Sequence, residues 1–362
     1  MRMKPTPALR LLAYTDAFTW GGAEECLGTL IGQLNGRYEI TVAGTNRNVV
    51  ERVAARRSDA AVLHLPPVEN KFDVAAVAAH VRAFRRARPD ICHINLRTPY
   101  SCQGGIVGGA VSSARIVAVE HLPLHSDSAF MRWSRRQAAR LYAAHVAVGD
   151  RAARWVEREM ALPQGSVRTI HNGVTRFAAD DVPDLEVRGP VVGTFGRLVS
   201  QKGHETLVRA LIDLPGVTVV IVGEGPRRAF LEQLADHLGV RDRLILPGWD
   251  DQARRYLPLF DVFVLPSRFE GFPLSILEAM LADVPVVASS VGSIAEAVEH
   301  KTTGLLVAPD DPEALAGALR LVLEDKALAR RLAETARQRA EQLFTAEIMA
   351  AEYERVYEEV AR

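Results

Sequence analysis

Two glutamates with seven residues between them flank a predicted helix start in the segment E-G-F-P-L-S-I-L-E, Glu270 to Glu278. An apolar strand ends just before it at Leu265, and we expect the helix to begin near Phe272 with Pro273 in its first turn, where a missing N–H costs nothing. Amides at a helix start form an anion site suited to a phosphate. Carboxylates beside such a site can accept hydrogen bonds from hydroxyl groups of the same ligand. The residues expected to line the phosphate site are Gly271, Phe272, Pro273, Leu274 and Ser275.

A ligand with phosphates in its middle and hydroxyls at both ends is a nucleotide sugar. We therefore expect Glu270 to bind the sugar and Glu278 the ribose. The alternative is two incidental surface glutamates on an ordinary strand–helix unit.

A second group of candidate residues follows the predicted strand Val191–Phe195. Gly196, Arg197 and Lys202 should reach the same edge of the sheet as Glu270. Arginine offers a planar fork and lysine a point charge, and both suit a diphosphate leaving group whose charge grows during bond cleavage. Taken alone, such residues are more often surface charges than ligands.

Glycine-rich turns follow two other predicted strands. Gly21 and Gly22 let the backbone approach a ligand closely before a helix start. Gly223–Pro226 is interpreted as a tight strand-to-helix turn. Neither segment is the G-x-G-x-x-G dinucleotide fingerprint.

His121 follows a strand of the first half directly, so we expect it to contact a ligand, beside a polar loop that contains His125 and Ser126. A structural histidine is the alternative. His93, Asn95 and Arg97 form a similar strand-end group that could face an acceptor. The acceptor itself should be bound by loops of the first half: 16–20, 97–105 and 122–130.

Several common chemistries lack their sequence patterns. No Asp-x-Asp occurs, so we expect no metal bound against the diphosphate. The hydrolase pattern G-x-S-x-G, the zinc-protease pattern H-E-x-x-H and the P-loop pattern are absent as well. Charge neutralisation would then come from Arg197, Lys202 and helix amides, with no metal and no cofactor.

Short apolar runs alternate with amphipathic helical stretches along the chain, a rhythm that predicts parallel sheets covered by helices. Only helices are expected from Pro312 to the end. The predicted strands are Leu9–Tyr14, Glu39–Ala43, Ala61–Leu65, Ile91–Ile94, Ile116–Val119, His145–Val148, Val167–Ile170, Val191–Phe195, Val217–Val222, Leu244–Leu246, Val262–Leu265, Val284–Ala288 and Gly304–Val307.

The length of 362 residues suits two domains. We predict an N-terminal domain over residues 1–172, a linker over 173–189 and a C-terminal domain over 190–345, with a last helix over 346–362. Two doubly wound α/β domains that face each other across a cleft would bind ligands at the carboxyl ends of their strands.

Composition excludes several classes of protein. Lys+Arg and Asp+Glu both number 44, so no nucleic-acid signature exists overall. Three cysteines without a C-x-x-C pair argue against a disulfide framework. The first residues do not resemble a secretory signal, and no run of about 18 apolar residues is present. These features predict a cytoplasmic protein.

Charge is distributed unevenly between the two halves. Residues 1–180 hold 24 Lys+Arg and 15 Asp+Glu, whereas residues 181–362 hold 20 and 29. Two predicted helices carry clusters of basic residues. A solvated helix face is one interpretation, and peripheral contact with an anionic inner membrane leaflet is the other. The clustered residues are Arg82, Arg85, Arg86, Arg88, Arg132, Arg135, Arg136 and Arg140.

Together these motifs resemble glycosyltransferase family 4, the retaining, nucleotide-sugar-dependent enzymes of GT-B type. The resemblance rests on E-G-F-P-L-S-I-L-E, on G-R-L-x-x-x-K-G from Gly196 to Gly203, and on three shorter motifs. One departure is Ser293 and Ala295, where the family often has a glycine and a proline. The shorter motifs are G-E-G-P from Gly223, H-N-G-V from His171 and G-G-A-E from Gly21.

The resemblance implies that Glu270 contacts the donor sugar and Glu278 the ribose, and that Arg197 and Lys202 hold the diphosphate. It also implies that Gly22 approaches the diphosphate, that His121 reaches the sugar, and that the helix Ile348–Val360 packs on the first domain.

The implied activity is transfer of a hexosyl or N-acetylhexosaminyl group to a glycan, a glycolipid or a secondary metabolite. A UDP-sugar is the favoured donor and GDP-mannose the next. A nucleotide-sugar epimerase of the same fold, which would act without an acceptor, is the alternative.

Overall fold

The computed structural model describes residues 8–70, 73–122, 124–125, 128–177 and 181–362. Contacts divide the chain into two compact units. Unit 1 contains residues 1–175 together with 346–362, and unit 2 contains residues 176–345. The predicted linker over 173–189 therefore begins within unit 1, where the Ala346 amide donates to the Val174 carbonyl over 3.0 Å.

Unit 1 is built on a parallel sheet of seven strands in the order β3-β2-β1-β4-β5-β6-β7. The central strand β4 is buried along its whole length, and β1 and β5 are buried except at their amino-terminal ends. This burial on both faces of the sheet explains their largely apolar sequences. The strands are β1 Leu9–Thr15, β2 Tyr38–Gly44, β3 Ala61–His64, β4 Ile91–Leu96, β5 Arg115–Glu120, β6 Tyr142–Ala147 and β7 Arg168–Thr169.

Helices cover both faces of this sheet. Asp73 caps α3 by accepting from the Ala76 amide over 3.0 Å, as a side chain at a helix start does when it satisfies a free N–H. The helices of unit 1 are α1 Gly22–Gln33, α2 Arg47–Ala54, α3 Val74–Ala87, α4 Gln103–Val111, α5 Ala129–Ala139, α6 Asp150–Met160 and α13 Ala346–Ala361.

The last helix, α13, belongs to unit 1 although it is the end of the chain. Tyr353 and Tyr357 are fully buried, and the Tyr357 hydroxyl lies 2.7 Å from Nδ1 of His93. At the surface, Arg168 forms an ion pair with Glu359. The helix thus contributes core side chains to unit 1.

Unit 2 has a parallel sheet of six strands in the order β10-β9-β8-β11-β12-β13. The order places β8 beside β11, with Val192 in register with Val262. The strands are β8 Val191–Phe195, β9 Thr218–Val222, β10 Leu244–Gly248, β11 Val262–Leu265, β12 Val286–Ser289 and β13 Leu305–Val307. The helices are α7 His204–Ala210, α8 Arg228–His237, α9 Leu274–Leu281, α10 Ile294–Ala297, α11 Pro312–Glu324 and α12 Lys326–Leu343.

The thirteen predicted strands are all present, with shifts of a few residues at their ends. From Pro312 onward only helices follow, as predicted. The three cysteines, Cys26, Cys92 and Cys102, are buried and free, in agreement with the absence of a disulfide framework. Within the described ranges no helix is long and apolar enough to cross a bilayer.

Gly203, in the loop after β8, lies in close contact with the loop after β11. Its φ is +62°, and a Cβ there would lie 2.1 Å from the Pro266 carbonyl oxygen. Only glycine fits both the left-handed backbone and the contact. Gly216 provides a comparison, since its φ is +77° but nothing lies within 4 Å of its Cβ position.

We expect Gly203→Ala to destabilise unit 2 more than Gly216→Ala does. Both substitutions place alanine in left-handed backbone, at a cost of about 1 kcal/mol. Only the substitution at Gly203 also forces the two loops apart, which adds about 1–3 kcal/mol. Urea unfolding followed by circular dichroism measures the difference, and equal losses for the two variants would contradict this description of the loops.

Candidate functional site

Two loops leave the carboxyl ends of β8 and β11, which are neighbours in the sheet of unit 2. The main chain of one loop is hydrogen-bonded to the other, because the Arg268 amide donates to the Gln201 carbonyl over 2.8 Å. The Gln201 side-chain amide donates in turn to the Phe269 carbonyl over 3.1 Å. These bonds, with the close contact at Gly203, fix the two loops to each other.

The fixed loops bring Lys202 and Glu270 together as an ion pair. Nζ of Lys202 lies 2.6 Å from Oε1 of Glu270, and the two side chains are 16% and 7% exposed. The fully buried Ser267 donates its hydroxyl proton to the same carboxylate oxygen over 2.7 Å. A cation, a carboxylate and a hydroxyl therefore lie together at the carboxyl edge of the sheet.

The sequence predicted Lys202 and Glu270 at this edge, but as ligands of different groups, the diphosphate and the sugar. It did not indicate a role for Ser267. A serine two residues beyond the end of an apolar strand was the available signal. The pairing could not be inferred because it depends on the register between β8 and β11.

A network of four charged side chains joins the loop after β11 to neighbouring elements. Arg268 contacts Glu205 over 2.8 Å and Asp310 over 2.8 Å. Arg227 contacts the same Glu205 carboxylate over 3.0 Å. Arg268 precedes Glu270 by two residues, so this network constrains the segment that carries the site.

The helix after β11 starts later than predicted. Pro273 is the N-cap of α9, with φ −75° and ψ 125°, and Leu274 is the first helical residue. The expectation of a start near Phe272 with proline in the first turn was wrong, because the extended ψ of Pro273 places it outside the helix. The first amides without an intrahelical partner are therefore those of Leu274 and Ser275.

Phe272 and Gly271 are buried parts of the loop. The Phe272 ring packs against Phe344 with centroids 5.2 Å apart, so its side chain belongs to the core. The Gly271 carbonyl accepts from the Ser293 amide over 3.1 Å. Gly292, with φ +51°, approaches Glu270 so closely that a Cβ would lie 1.9 Å from its carbonyl oxygen.

The remaining predicted residues of unit 2 lie on several elements. The Gly196 amide donates to the Val222 carbonyl over 3.0 Å and thereby ties the β8 loop to β9. Arg197 is exposed and has no ion pair with any described residue. Glu278 is half-buried in α9. The turn Gly223–Pro226 connects β9 to α8, as predicted.

In unit 1, the predicted residues lie at the carboxyl edge of its own sheet. Gly21 is the N-cap of α1 and Gly22 its first residue, with open space around the Cβ position of Gly22. His121 follows the end of β5, and its Nε2 lies 2.6 Å from Oδ1 of Asn95. Nδ2 of Asn95 donates to the Ala23 carbonyl over 3.2 Å, so Oδ1 is the acceptor and Nε2 of His121 the donor.

Burial lowers the pKa of His121 from 6.5 to about 4. His121 is therefore neutral at pH 7, and its protonated Nε2 is committed to Asn95. In that state the ring can make polar contacts but carries no positive charge.

Two expectations for unit 1 were wrong. His93 does not face an acceptor, since it is 2% exposed, contacts Tyr357 and has a pKa lowered by burial to about 3. Arg135 is not part of a solvated basic face, because it is buried and donates to Glu120 over 2.9 Å. Of the polar loop next to His121, residues 123, 126 and 127, and hence Ser126, lie outside the described residues.

In the described part of the chain, no group of three His, Cys, Asp or Glu side chains could hold a metal ion.

Two family profiles match consecutive stretches of the sequence. "Glycosyltransferase Family 4" matches residues 20–176, and "Glycosyl transferases group 1" matches residues 177–339. The chain belongs to glycosyltransferase family 4, and its two Rossmann-like units have the GT-B architecture.

Curated relatives match over part of their length. The lipopolysaccharide core biosynthesis glycosyltransferase LpsE of Rhizobium meliloti is 37% identical over 172 residues, 46% of this chain and 51% of that protein. The alpha-D-kanosaminyltransferase of Streptomyces kanamyceticus is 31% identical over 227 residues, 57% of each chain. The chain thus spans about half the length of these relatives.

Solved structures match over nearly the whole chain. The structure of Anabaena HepE in complex with UDP-glucose has a TM-score of 0.81 and 22% identity, covering 97% of this chain and 100% of that chain. A glycosyltransferase from Rickettsia africae has a TM-score of 0.81 and 17% identity, with 98% and 99% covered. At these identities the likeness establishes the fold.

We expect His121→Gln to reduce the dependence of the unfolding free energy of unit 1 on pH at acidic pH. The folded pKa of about 4 lies below the unfolded value of 6.5, so between these values the unfolded chain binds more protons. Stability should fall as the pH falls through this window, and His121 should contribute about 1.4 kcal/mol per pH unit. Thermal melting from pH 4.5 to 6.5 measures this slope.

The exposed His237 on α8 of unit 2 provides a control for the loss of a histidine outside unit 1. His237→Gln should leave the pH dependence of the stability of unit 1 unchanged. A His121→Gln slope equal to that of the unmodified protein would show that His121 is not held neutral by burial.

Proposed function

We propose that this protein is a retaining glycosyltransferase that transfers a hexosyl or N-acetylhexosaminyl group from a nucleotide-diphosphate sugar to an acceptor. The observation that carries the proposal is the cluster of Lys202, Glu270 and Ser267 beside the start of α9. It offers a cation and helix amides for a diphosphate, and a carboxylate for sugar hydroxyls.

The donor is assigned residue by residue within unit 2. Lys202 leaves Glu270 for the diphosphate, which releases the carboxylate to accept from a sugar hydroxyl. Arg197, which has no competing ion pair among the described residues, adds a second cation, and Glu278 accepts from the ribose. The backbone of Gly196 and of the loop 271–275 approaches the phosphates.

We assign His121, Gly21 and Gly22 to ligand contacts of unit 1. A neutral His121 suits a polar contact with a sugar better than proton transfer. The acceptor is proposed to bind at the same edge of the sheet of unit 1.

In the proposed reaction, the bond between the anomeric carbon and the leaving phosphate oxygen breaks. The acceptor oxygen forms its bond to the same face of that carbon, and its proton passes to an oxygen of the leaving diphosphate. The products are a glycoside and a nucleoside diphosphate. Lys202, Arg197 and the amides of α9 stabilise the charge on the leaving group. We propose that no metal ion takes part.

A UDP-sugar is the preferred donor in this proposal, with GDP-mannose next. Support comes from the similar structure of Anabaena HepE, which is a complex with UDP-glucose. Relatives named as glucosyltransferase, kanosaminyltransferase and mannosyltransferase support a hexose-type sugar.

We expect Lys202→Ala and Glu270→Ala each to lower the turnover at least about 100-fold. Lys202→Ala removes a contact to the leaving diphosphate, whose charge grows in the transition state, and Glu270→Ala removes the carboxylate that holds the sugar in position. Lys326→Ala is the matched control, since Lys326 is an exposed lysine of α12. Release of UDP from UDP-glucose or UDP-N-acetylglucosamine, in EDTA and with an acceptor panel, measures the turnover.

Near-normal transfer by both variants would contradict the assignment of the site. Loss of transfer in EDTA would contradict metal independence. An isomerised sugar formed from donor alone, detected by NMR, would favour the epimerase.

We also propose that unit 1 contacts an anionic membrane through α5. Phe130 and Trp133 are 71% and 58% exposed, and their rings stack with centroids 5.9 Å apart. Arg136 and Arg140 are exposed at helical spacing from them. Aromatic rings next to arginines on one helix face are typical of a helix that lies in a lipid interface. A relative named for lipopolysaccharide core synthesis supports an acceptor linked to lipid.

We expect the double variant Phe130→Ser and Trp133→Ser to bind anionic vesicles at least about tenfold more weakly, since it removes the apolar contacts. Val74→Ser, at a position 75% exposed on α3, is the control. Co-sedimentation with phosphatidylglycerol vesicles measures binding. Equal vesicle binding by the double variant and by Val74→Ser would argue against α5 as the membrane contact.

A further inference from the structure

A pocket of about 570 Å³ lies in unit 1 at the amino edge of its sheet. Leu9 at the start of β1 and Arg115 at the start of β5 line it, together with the ends of α3, α4 and α13. This edge is opposite the carboxyl edge that holds His121. The pocket is therefore separate from the ligand contacts assigned to unit 1.

The pocket is lined by four arginines. Arg10 is neutralised by Asp90, with Nη2 and Oδ1 2.8 Å apart. Arg85, Arg88 and Arg115 are exposed, and no ion pair or hydrogen bond to a described residue involves their guanidinium groups. Three uncompensated positive charges thus surround one concave site.

The helix ends nearby do not balance these charges. The C-termini of α3, α4 and α13 reach the pocket, and each is equivalent to about half a negative charge. Against three guanidinium groups, three such ends leave roughly one and a half positive charges uncompensated. The site retains a net attraction for an anion.

We propose that this pocket binds a phosphate-bearing anion. Guanidinium groups match phosphate oxygens in pairs of parallel hydrogen bonds, so Arg85, Arg88 and Arg115 can hold one compact dianion from several sides. The hydroxyl of Ser113, which also lines the pocket, adds a polar group. The phosphate can belong to a soluble ester or to a lipid headgroup.

Titration calorimetry with inorganic pyrophosphate at constant ionic strength tests the proposal. The double variant Arg85→Gln and Arg115→Gln removes two pocket arginines. Arg82→Gln with Arg86→Gln is the matched control, since these exposed arginines are on the same helix, α3, but do not line the pocket. We expect at least about tenfold weaker binding to the pocket variant and a change within about twofold for the control.

A second arm uses vesicles of phosphatidylcholine that contain phosphatidic acid. Weakened pyrophosphate binding by the pocket variant supports the site and points to a soluble phosphate ester. If the pocket variant binds vesicles more weakly but binds pyrophosphate as the unmodified protein does, the result supports the site and points to a lipid headgroup. If the pocket variant and the control bind both probes as the unmodified protein does, or if the unmodified protein binds neither, the proposal is overturned. Arg115→Gln alone, which leaves α3 unchanged, should show a smaller loss in the same direction.

Discussion

The ion pair between Lys202 and Glu270 is the interaction on which the site of unit 2 depends. Its two members are 68 residues apart in the chain and meet because β8 and β11 are adjacent in the sheet. Main-chain bonds between the two loops, and a glycine where no Cβ fits, hold the pair in place. Both side chains are largely buried, so each charge depends on the other or on a ligand that replaces it. A diphosphate and a sugar hydroxyl could satisfy the same two groups, which makes the pair suited to opening on donor binding.

The carboxyl edge of the sheet in unit 1 has buried neutral histidines where unit 2 has an ion pair. His121 and His93 are buried and have lowered pKa values, so they act as neutral hydrogen-bonding groups at physiological pH. Among the described residues, exposed arginines without an ion pair also lie on α5 and around the pocket at the amino edge of the sheet. The proposed ligand contact of His121 and the proposed anion site therefore lie at different edges of the sheet of unit 1.

The strands could be predicted from the sequence, because strands buried on both faces of a parallel sheet have continuous apolar runs. The sequence was also sufficient to place Lys202, Arg197 and Glu270 at one edge of one sheet. The start of α9 was misplaced because proline is compatible with both the N-cap and the first turn. His93 and Arg135 were misjudged because burial and partners on other elements, Tyr357 and Glu120, cannot be inferred from local spacing. The ion pair between Lys202 and Glu270 could not be predicted, because it depends on the register between two strands that are adjacent in the sheet but far apart in the sequence.

A crystal structure of the full chain with an intact UDP-sugar tests the central claim most directly. The account predicts that Nζ of Lys202 leaves the Glu270 carboxylate and lies within hydrogen-bonding distance of a diphosphate oxygen, while Glu270 accepts from a hydroxyl of the sugar. A ligand bound away from the start of α9, with the distance of 2.6 Å between Lys202 and Glu270 unchanged, would contradict it.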